Sequence, residues 1–503
     1  MMLKDCLNQK GNFMKYILTV DQGTTSTRAI LLDKQGEMVN IAFRPVVCNY
    51  PKSGWVETDA RAIWLSVIDC ISELLVKENI TWKNIDSIGI TNQRETTIIW
   101  DKKTGLPIYP AIVWQSRQSA SICDKASDKK ELIHEKTGLL INPYFSASKI
   151  AFILDKVKGA RERAAKGELM FGTVDSWIIY KMTKNSIHAT DVTNASRTML
   201  FNIKNMEWDK ELCQIFDIPM KILPKVYPSS YDYGEASFFG KGVHIHGVAG
   251  DQQASLFGQT CFNVGDCKNT YGTGCFMLMN IGDKIKYSHN GLLTTIAWQI
   301  GKKVTYAIEG SVFIGGNVVQ WLVEKMNLIR VPAESEDFAM KSNNGHELYF
   351  VPAFTGLGTP YWDNEVRGSI FGITSNTTKE DLAKASLEGI AYQCKDVFET
   401  MKKDCNISLK SLRVDGGATE NNYLMQFQSD ILSTEIILPK CLQTTALGAS
   451  YLAGLSSGFF KDLNYIKHIH EASKTFSPKM NDEEINELCN GWKKAVEAAR
   501  KFK

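Results

Sequence analysis

Apolar positions along this chain recur with two spacings. Short runs that end at polar turns predict strands: Ile17, Leu18 and Val20 running into Asp21, then Ala29 to Leu32, Glu37 to Phe43, and Ile85 to Ile90. Further runs of this kind are Val243 to Gly250, Cys275 to Met279, and Leu412 to Asp415. Helical spacing appears at Ile63, Trp64, Val67, Ile68, Ile71, Leu74 and Leu75, with Thr58 as the expected N-cap. It returns through Val319 to Leu322, and at Leu382, Leu387, Ile390 and Val397. Thr378 and Asp381 precede that last set as a variant of the capping box. Ala254 to Gly258 predicts a short small-residue helix, and Glu483 to Lys503 an amphipathic one with a basic tail.

The polar turns between these runs hold the chemistry. Gln22-Gly23-Thr24-Thr25-Ser26-Thr27 joins two apolar runs directly after Asp21, and Tyr271-Gly272-Thr273-Gly274 joins two others not far beyond Asp251. Glycine lets a phosphate approach the backbone and threonine adds a hydroxyl donor. A single such turn reads equally well as a plain polar hairpin. Two of them about half a chain apart, each with an acid attached, predict related lobes that share one phosphate. A third site, Gly416-Gly417 ahead of a helix near Asn421, follows the strand ending at Asp415. A strand, a glycine turn and a helix N-terminus form an anion-binding arrangement. None of these is the Lys-Ser/Thr P-loop. Arg94 and Glu95 follow a strand end, where open α/β sheets place their ligands. The plain alternative is a surface ion pair worth ~0–1 kcal/mol.

Composition narrows the class. At 503 residues the chain should hold more than one core, since single cores stop growing at roughly 250–300 residues. A net charge of +3 argues for neither nucleic acid nor membrane as partner, and 44% apolar with 22% charged residues is globular. No apolar run approaches the ~18–20 residues of a membrane span. The first 13 residues read as a loose extension rather than a secretory signal. Twelve cysteines without a CxxC pair suit reduced thiols in the cytoplasm. His244 and His246 share one strand face, but the sequence offers no third metal ligand near them, so a packed or surface role is expected.

The segments DQGTTSTR, YGTG and RVDGGATENNYLMQF resemble the nucleotide-binding segments of the sugar kinase, actin and hexokinase superfamily. NQRETT (Asn92 to Thr97), VWQSRQ (Val113 to Gln118), PYFSASK (Pro143 to Lys149) and GVAGDQQASLFGQ resemble those of glycerol kinases, in the same order, from Tyr16 to about Gly454. The resemblance implies an α/β fold of two actin-like ATPase (ribonuclease H-like) lobes around a central cleft. They would occupy residues 14–260 and 261–503, dividing near 258–261. It implies ATP-dependent phosphorylation of glycerol to glycerol 3-phosphate, serving glycerol catabolism and glycerolipid supply. Asp251 is then the expected general base and Asp21 the expected holder of Mg²⁺. Arg94, Glu95, Asp251 and Gln252 would bind the hydroxyls of glycerol, with Trp114, Tyr144 and Phe276 packed on its carbon. Thr24, Thr25, Ser26 and Arg28, with Thr273, would position the phosphates of ATP, and Gly316, Gln320, Gly417 and Asn421 its adenosine end. A homodimer or homotetramer is implied as well. A kinase for another acceptor, such as a ketopentose, and a non-catalytic actin-like ATP-binding protein are the alternatives. Finally, Ser237 to His244 has no Arg where some bacterial glycerol kinases have a loop for fructose 1,6-bisphosphate, and insensitivity to that effector is expected.

Overall fold

The computed structural model describes residues 14–343, 345–407, 409 and 411–502; the expected N-terminal extension, 1–13, lies outside the described residues. The first sheet is built from β1 (Tyr16–Gln22), β2 (Ser26–Leu32) and β3 (Met38–Pro45), an antiparallel meander. After helix α1 (Ala60–Lys77) come β4 (Ile85–Asn92) and, much later, β5 (His244–Gly250). Both run parallel to β1, in the order β5-β4-β1-β2-β3. Helix α2 (Asp251–Gly258) starts where β5 stops.

The second sheet repeats the plan. β6 (Cys267–Tyr271), β7 (Cys275–Gly282), β8 (Leu293–Ile300) and β9 (Lys303–Val312) pair antiparallel and lead into α3 (Asn317–Glu324). The long α4 (Lys379–Cys405) precedes β10 (Ser411–Asp415), which lies parallel beside β6 as β4 lies beside β1. Next come α5 (Asn422–Leu432), β11 (Glu435–Pro439), α6 (Thr444–Ser457) and β12 (Ala472–Phe476). The order is β8-β9-β7-β6-β10-β11-β12.

Strand β1 is buried at all seven positions because helices cover both of its faces. Leu18 and Val20 join a core with Ile63, Val67 and Ile71 of α1, while Ile17 faces Leu447, Tyr451 and Leu452 of α6. So α6, from the far end of the chain, closes the first sheet. It comes very near: a Cβ on Gly448 would lie 1.8 Å from the Ala254 carbonyl of α2, and one on Gly258 would lie 1.9 Å from the Thr444 carbonyl. Only glycine permits that contact. Thr19 and Ser450 hydroxyls bond across the same interface at 2.6 Å.

Two expectations are corrected. The N-cap of α1 is Asp59, whose carboxylate accepts from Arg61 N–H; Thr58 pairs instead with Cys48 and Ala111 in a small sheet. Tertiary pairing has taken the residue that capping alone favoured. Helix α2 begins at Asp251, three residues before the expected start, because its polar Gln252 and Gln253 are buried inward. The capping box at Thr378 is present as expected. Residues between β4 and β5 form a third core around Ile99, Phe145, Ile150, Phe171 and Leu200. That insertion supplies Trp114, Tyr144 and Arg197. No helix among the described residues is long and apolar enough to cross a membrane.

Candidate active site

At the end of β4 the chain turns sharply, and Glu95 adopts φ +60°, a left-handed conformation uncommon for a side-chain-bearing residue. Arg94 is thereby committed to Glu309 of β9: Nη1 donates to Oε2 at 2.5 Å and Nη2 to Oε1 at 2.9 Å. Arg197 completes the group, its Nε donating to Glu95 Oε1 at 2.6 Å and its Nη2 to Glu309 Oε1 at 3.0 Å. All four side chains are buried. Burial alone would raise both carboxyls. The two guanidiniums overcome it at Glu309, holding that carboxyl down at about 2, whereas Glu95 stays somewhat raised. The plain alternative of a surface ion pair is therefore excluded: Arg94 and Glu95 belong to a buried set of two cations and two anions, drawn from both halves of the chain.

Asp251 stands beside this balanced set as the additional acid. Its Oδ1 accepts from the Gln252 N–H at 2.8 Å and lies 3.3 Å from Arg94 Nε, and its side chain keeps 29% exposure. Oδ2 has no hydrogen-bond partner among the described residues. Burial raises the Asp251 carboxyl above the ordinary range, with Arg94 opposing. The turn ahead of it is held by Thr193, whose hydroxyl accepts from Gly250 N–H at 2.8 Å and donates to Asp191. The polar run Thr190 to Arg197 thus supplies both this anchor and a cation. Gln252 accepts from the buried Lys268 ammonium on β6, which also donates to Thr270 at 2.8 Å. Asp21, at the end of β1, is pushed up to about 6 by burial and by the Asp251 charge, with Arg28 at 4.0 Å opposing.

Above the charges lies an aromatic wall. Trp114 meets Tyr144 edge-on at 5.5 Å and Phe276 at 6.3 Å, and the Arg197 guanidinium sits 5.7 Å from the centre of the Tyr144 ring. Trp114 Nε1 donates to Thr24 Oγ1 at 2.8 Å, which ties the wall to the first hairpin. That hairpin closes through Gly23 N–H to Ser26 carbonyl at 2.8 Å, leaving Thr25 exposed at its tip. Ser26 is half-buried where β2 begins, and Arg28 donates to Gln443 at 3.0 Å.

The second hairpin is held from behind. Gly315 N–H donates to the Thr273 carbonyl and Gly316 N–H to the Gly272 carbonyl, each at 2.8 Å, so the start of α3 docks on the turn while the Thr273 side chain stays exposed. Gln320, one turn into α3, bonds to Glu324 on the surface. Gly416 has φ +96°, and a Cβ there would lie 2.5 Å from the Tyr271 carbonyl. Gly417 beside it faces open space, and a Cβ on Gly316 would come within 3.6 Å of Ala418 Cβ. Asn421 caps α5 through Leu424 N–H. Gly316 therefore lies against the turn that runs from Gly417 to the Asn421 cap.

Sequence reasoning gave no role to Arg197, Glu309 or Lys268. Glu309 carried one usable signal, as the lone acid in the apolar run Tyr306 to Val312. Asp232 also lies with His244 and His246, a third side chain with a donor atom that the sequence did not bring to them.

Comparison with known proteins agrees with this arrangement. Residues 16–258 match the N-terminal domain, and residues 267–457 the C-terminal domain, of the FGGY family of carbohydrate kinases. A glycerol kinase of Bacillus licheniformis is 55% identical over 494 residues, covering 97% of this chain and all of that protein. One of Bacillus subtilis is 53% identical over 97% of this chain and 99% of its own length. Among solved structures, Plasmodium falciparum glycerol kinase with ADP superposes with a TM-score of 0.90 at 37% identity, covering 97% of this chain and 98% of that one. Two sheets built to one plan, a cleft-side acid and near-complete family matches to both halves lead to one assignment: the chain belongs to the FGGY family of carbohydrate kinases.

Proposed function

We propose that this chain transfers the γ-phosphoryl group of ATP to a terminal hydroxyl of glycerol, giving sn-glycerol 3-phosphate and ADP. The observation that carries the reading is the bowl itself. A buried charge set, the acid Asp251 and the wall of Trp114, Tyr144 and Phe276 suit a small polyol with polar and C–H faces. The relatives named glycerol kinases add the acceptor.

In this reading Arg94, Glu95 and Gln252 orient the hydroxyls of glycerol, and Asp251 takes the proton of the attacking one. The hydroxyl oxygen forms a bond to the γ-phosphorus as the bond to the bridging oxygen of ADP breaks. Such transfer depends mostly on positioning and charge stabilisation. Thr24, Thr25, Ser26, Arg28 and Thr273 position the phosphates; Gly316, Gln320, Gly417 and Asn421 receive the adenosine end. Asp21 fits Mg²⁺: its charge is poorly compensated by Arg28 and faces that of Asp251, a conflict that a divalent cation relieves. Bound there, directly or through water, the ion would neutralise charge on the β- and γ-phosphates. We place the boundary between the lobes at 258–261, so that residues 14–260 hold the acceptor and 261–503 most of the nucleotide. We also propose a cytoplasmic enzyme that assembles as a homodimer or homotetramer; the free cysteines suit a reducing compartment.

Asp251→Asn tests the chemistry. A positioned base contributes ~10²–10⁴-fold, so kcat should fall at least that far with ATP affinity nearly unchanged. In the wild type, kcat/KM should decline as pH falls through the raised pKa of Asp251, because only the ionised carboxylate accepts a proton; the variant should lack that limb. A variant retaining more than about a tenth of kcat removes Asp251 from the role of base.

A further inference from the structure

The first residues of β5 hold a group of side chains that glycerol phosphorylation does not use. His244 and His246 alternate along the strand, two residues apart. A segment preceding β5 runs antiparallel beside them: Tyr231 N–H donates to the His246 carbonyl at 3.1 Å, Tyr233 N–H to the Ile245 carbonyl at 2.8 Å, and Ile245 N–H to the Gly234 carbonyl at 3.0 Å. This ladder sets Asp232 against both imidazoles. We propose that Asp232, His244 and His246 form a binding site for one divalent transition-metal ion of the zinc class.

The geometry supports it. One donor atom from each residue lies within 4.8 Å of the other two. Nitrogen and oxygen ligands sit ~2.0–2.2 Å from zinc and so roughly 3.3 Å from each other, a gap that side-chain rotation can close. The two imidazoles are also nearly parallel, at 17°, with ring centres 5.7 Å apart.

Two buried polar atoms here have no partner. They are His246 Nδ1 and Oδ2 of Asp86, which precedes Ser87, the residue paired with His244 on β4. A buried acceptor or donor left unpaired is costly, and a simple ion pair between His244 and Asp232 leaves both unexplained. A cation bound by His246 answers the first and adds a positive charge beside the second. Asp232 is also oriented: its Oδ1 accepts from Gly234 N–H at 2.8 Å, while His244 Nδ1 lies 2.9 Å from Oδ1 and 3.1 Å from Oδ2. Imidazole with one carboxylate suits Zn²⁺, Ni²⁺ or Cu²⁺ rather than Mg²⁺. Five to seven strand residues separate this site from Asp251, or roughly 16–23 Å, so it is distinct from the catalytic bowl.

The test uses the full chain without a polyhistidine tag, stripped by chelator and free of nucleotide. Zn²⁺ is titrated by calorimetry, and Co²⁺ is added to read the visible absorption of a low-symmetry site. The wild type should bind one equivalent of Zn²⁺ and melt at a higher temperature with it. His246→Ala and, independently, Asp232→Asn should weaken that binding by at least about 100-fold, the upper range for losing even an outer partner of a ligand. Asp251→Asn should bind as the wild type does. Asp232 is exposed, so its variant keeps the test usable if His246→Ala fails to fold. Zinc uptake that is absent from the wild type, or equal in wild type and Asp232→Asn, overturns the site; the second result would assign the zinc to cysteines.

Discussion

Arg94 and Arg197 share Glu95 and Glu309 so completely that removing one partner leaves an uncompensated charge in the interior. Glu309→Gln should therefore cost about 3–5 kcal/mol of stability, read from urea unfolding. The pH dependence has a definite sign. The folded pKa of Glu309, about 2, lies below its ordinary 4.5, so its contribution is full above pH 4.5 and disappears as pH falls toward 2. The variant should lose that acid-sensitive component, and a cost below about 1 kcal/mol would mean the network is not a unit. Trp114→Ala makes a separate prediction. Losing an apolar wall should weaken glycerol binding by about 1–3 kcal/mol while sparing nucleotide affinity. A steep fall in melting temperature with an unchanged glycerol KM would make Trp114 plain core. Asp251, Trp114 and Asn421 stand in local motifs that the sequence alone marks. Arg197 and Glu309 were not legible in this way, because their partners lie 102 to 215 positions away. Asp232 was missed for a related reason: a return segment, not a strand period, brings it to His244.

At the scale of elements, the turns were read more reliably than the helices. Both hairpins fall where the Gly/Thr runs predicted them, since a turn is decided by its own few residues. Helix starts depend on what the neighbouring chain demands. Thr58 was claimed by a small sheet, and Gln252 and Gln253, expected ahead of the helix, are buried within its first turn. The loop Ser237 to Gly242 belongs to this scale. Its Phe238 ring packs on Trp64 at 4.9 Å and Phe239 stacks on Trp82 at 5.4 Å. A Cβ on Gly240 would lie 2.6 Å from the Trp82 ring, and Gly242 N–H is already bonded to the Glu235 carboxylate at 2.6 Å. The loop is filled by aromatics and presents an acid, and its one cation is the point charge Lys241, so it offers an anion little space and no bidentate grip. Millimolar fructose 1,6-bisphosphate should leave the rate unchanged. A saturating inhibition curve that vanishes in Lys241→Ala would show a working effector site instead.

Across the whole molecule, two sheets of one plan each open on a Gly/Thr hairpin, and α6 of the second half seals the first sheet. The charge set joins the halves through Glu309, and the aromatic wall joins them through Phe276. Asp415 adds a third link, its Oδ2 accepting from Ser255, Gln259 and Thr444 at 2.7 to 3.0 Å. A site assembled this way presents an acid, a buried charge set and one aromatic wall, drawn from both halves of the chain. The acceptor is therefore the point at which the account is most exposed. ADP release should be measured with glycerol, erythritol, dihydroxyacetone and xylulose at equal concentration, and the product identified by phosphorus NMR. Glycerol should give the highest kcat/KM, with glycerol 3-phosphate as product, and xylulose should turn over little. Equal or faster phosphorylation of xylulose, or ATP hydrolysis indifferent to any acceptor, would contradict this reading.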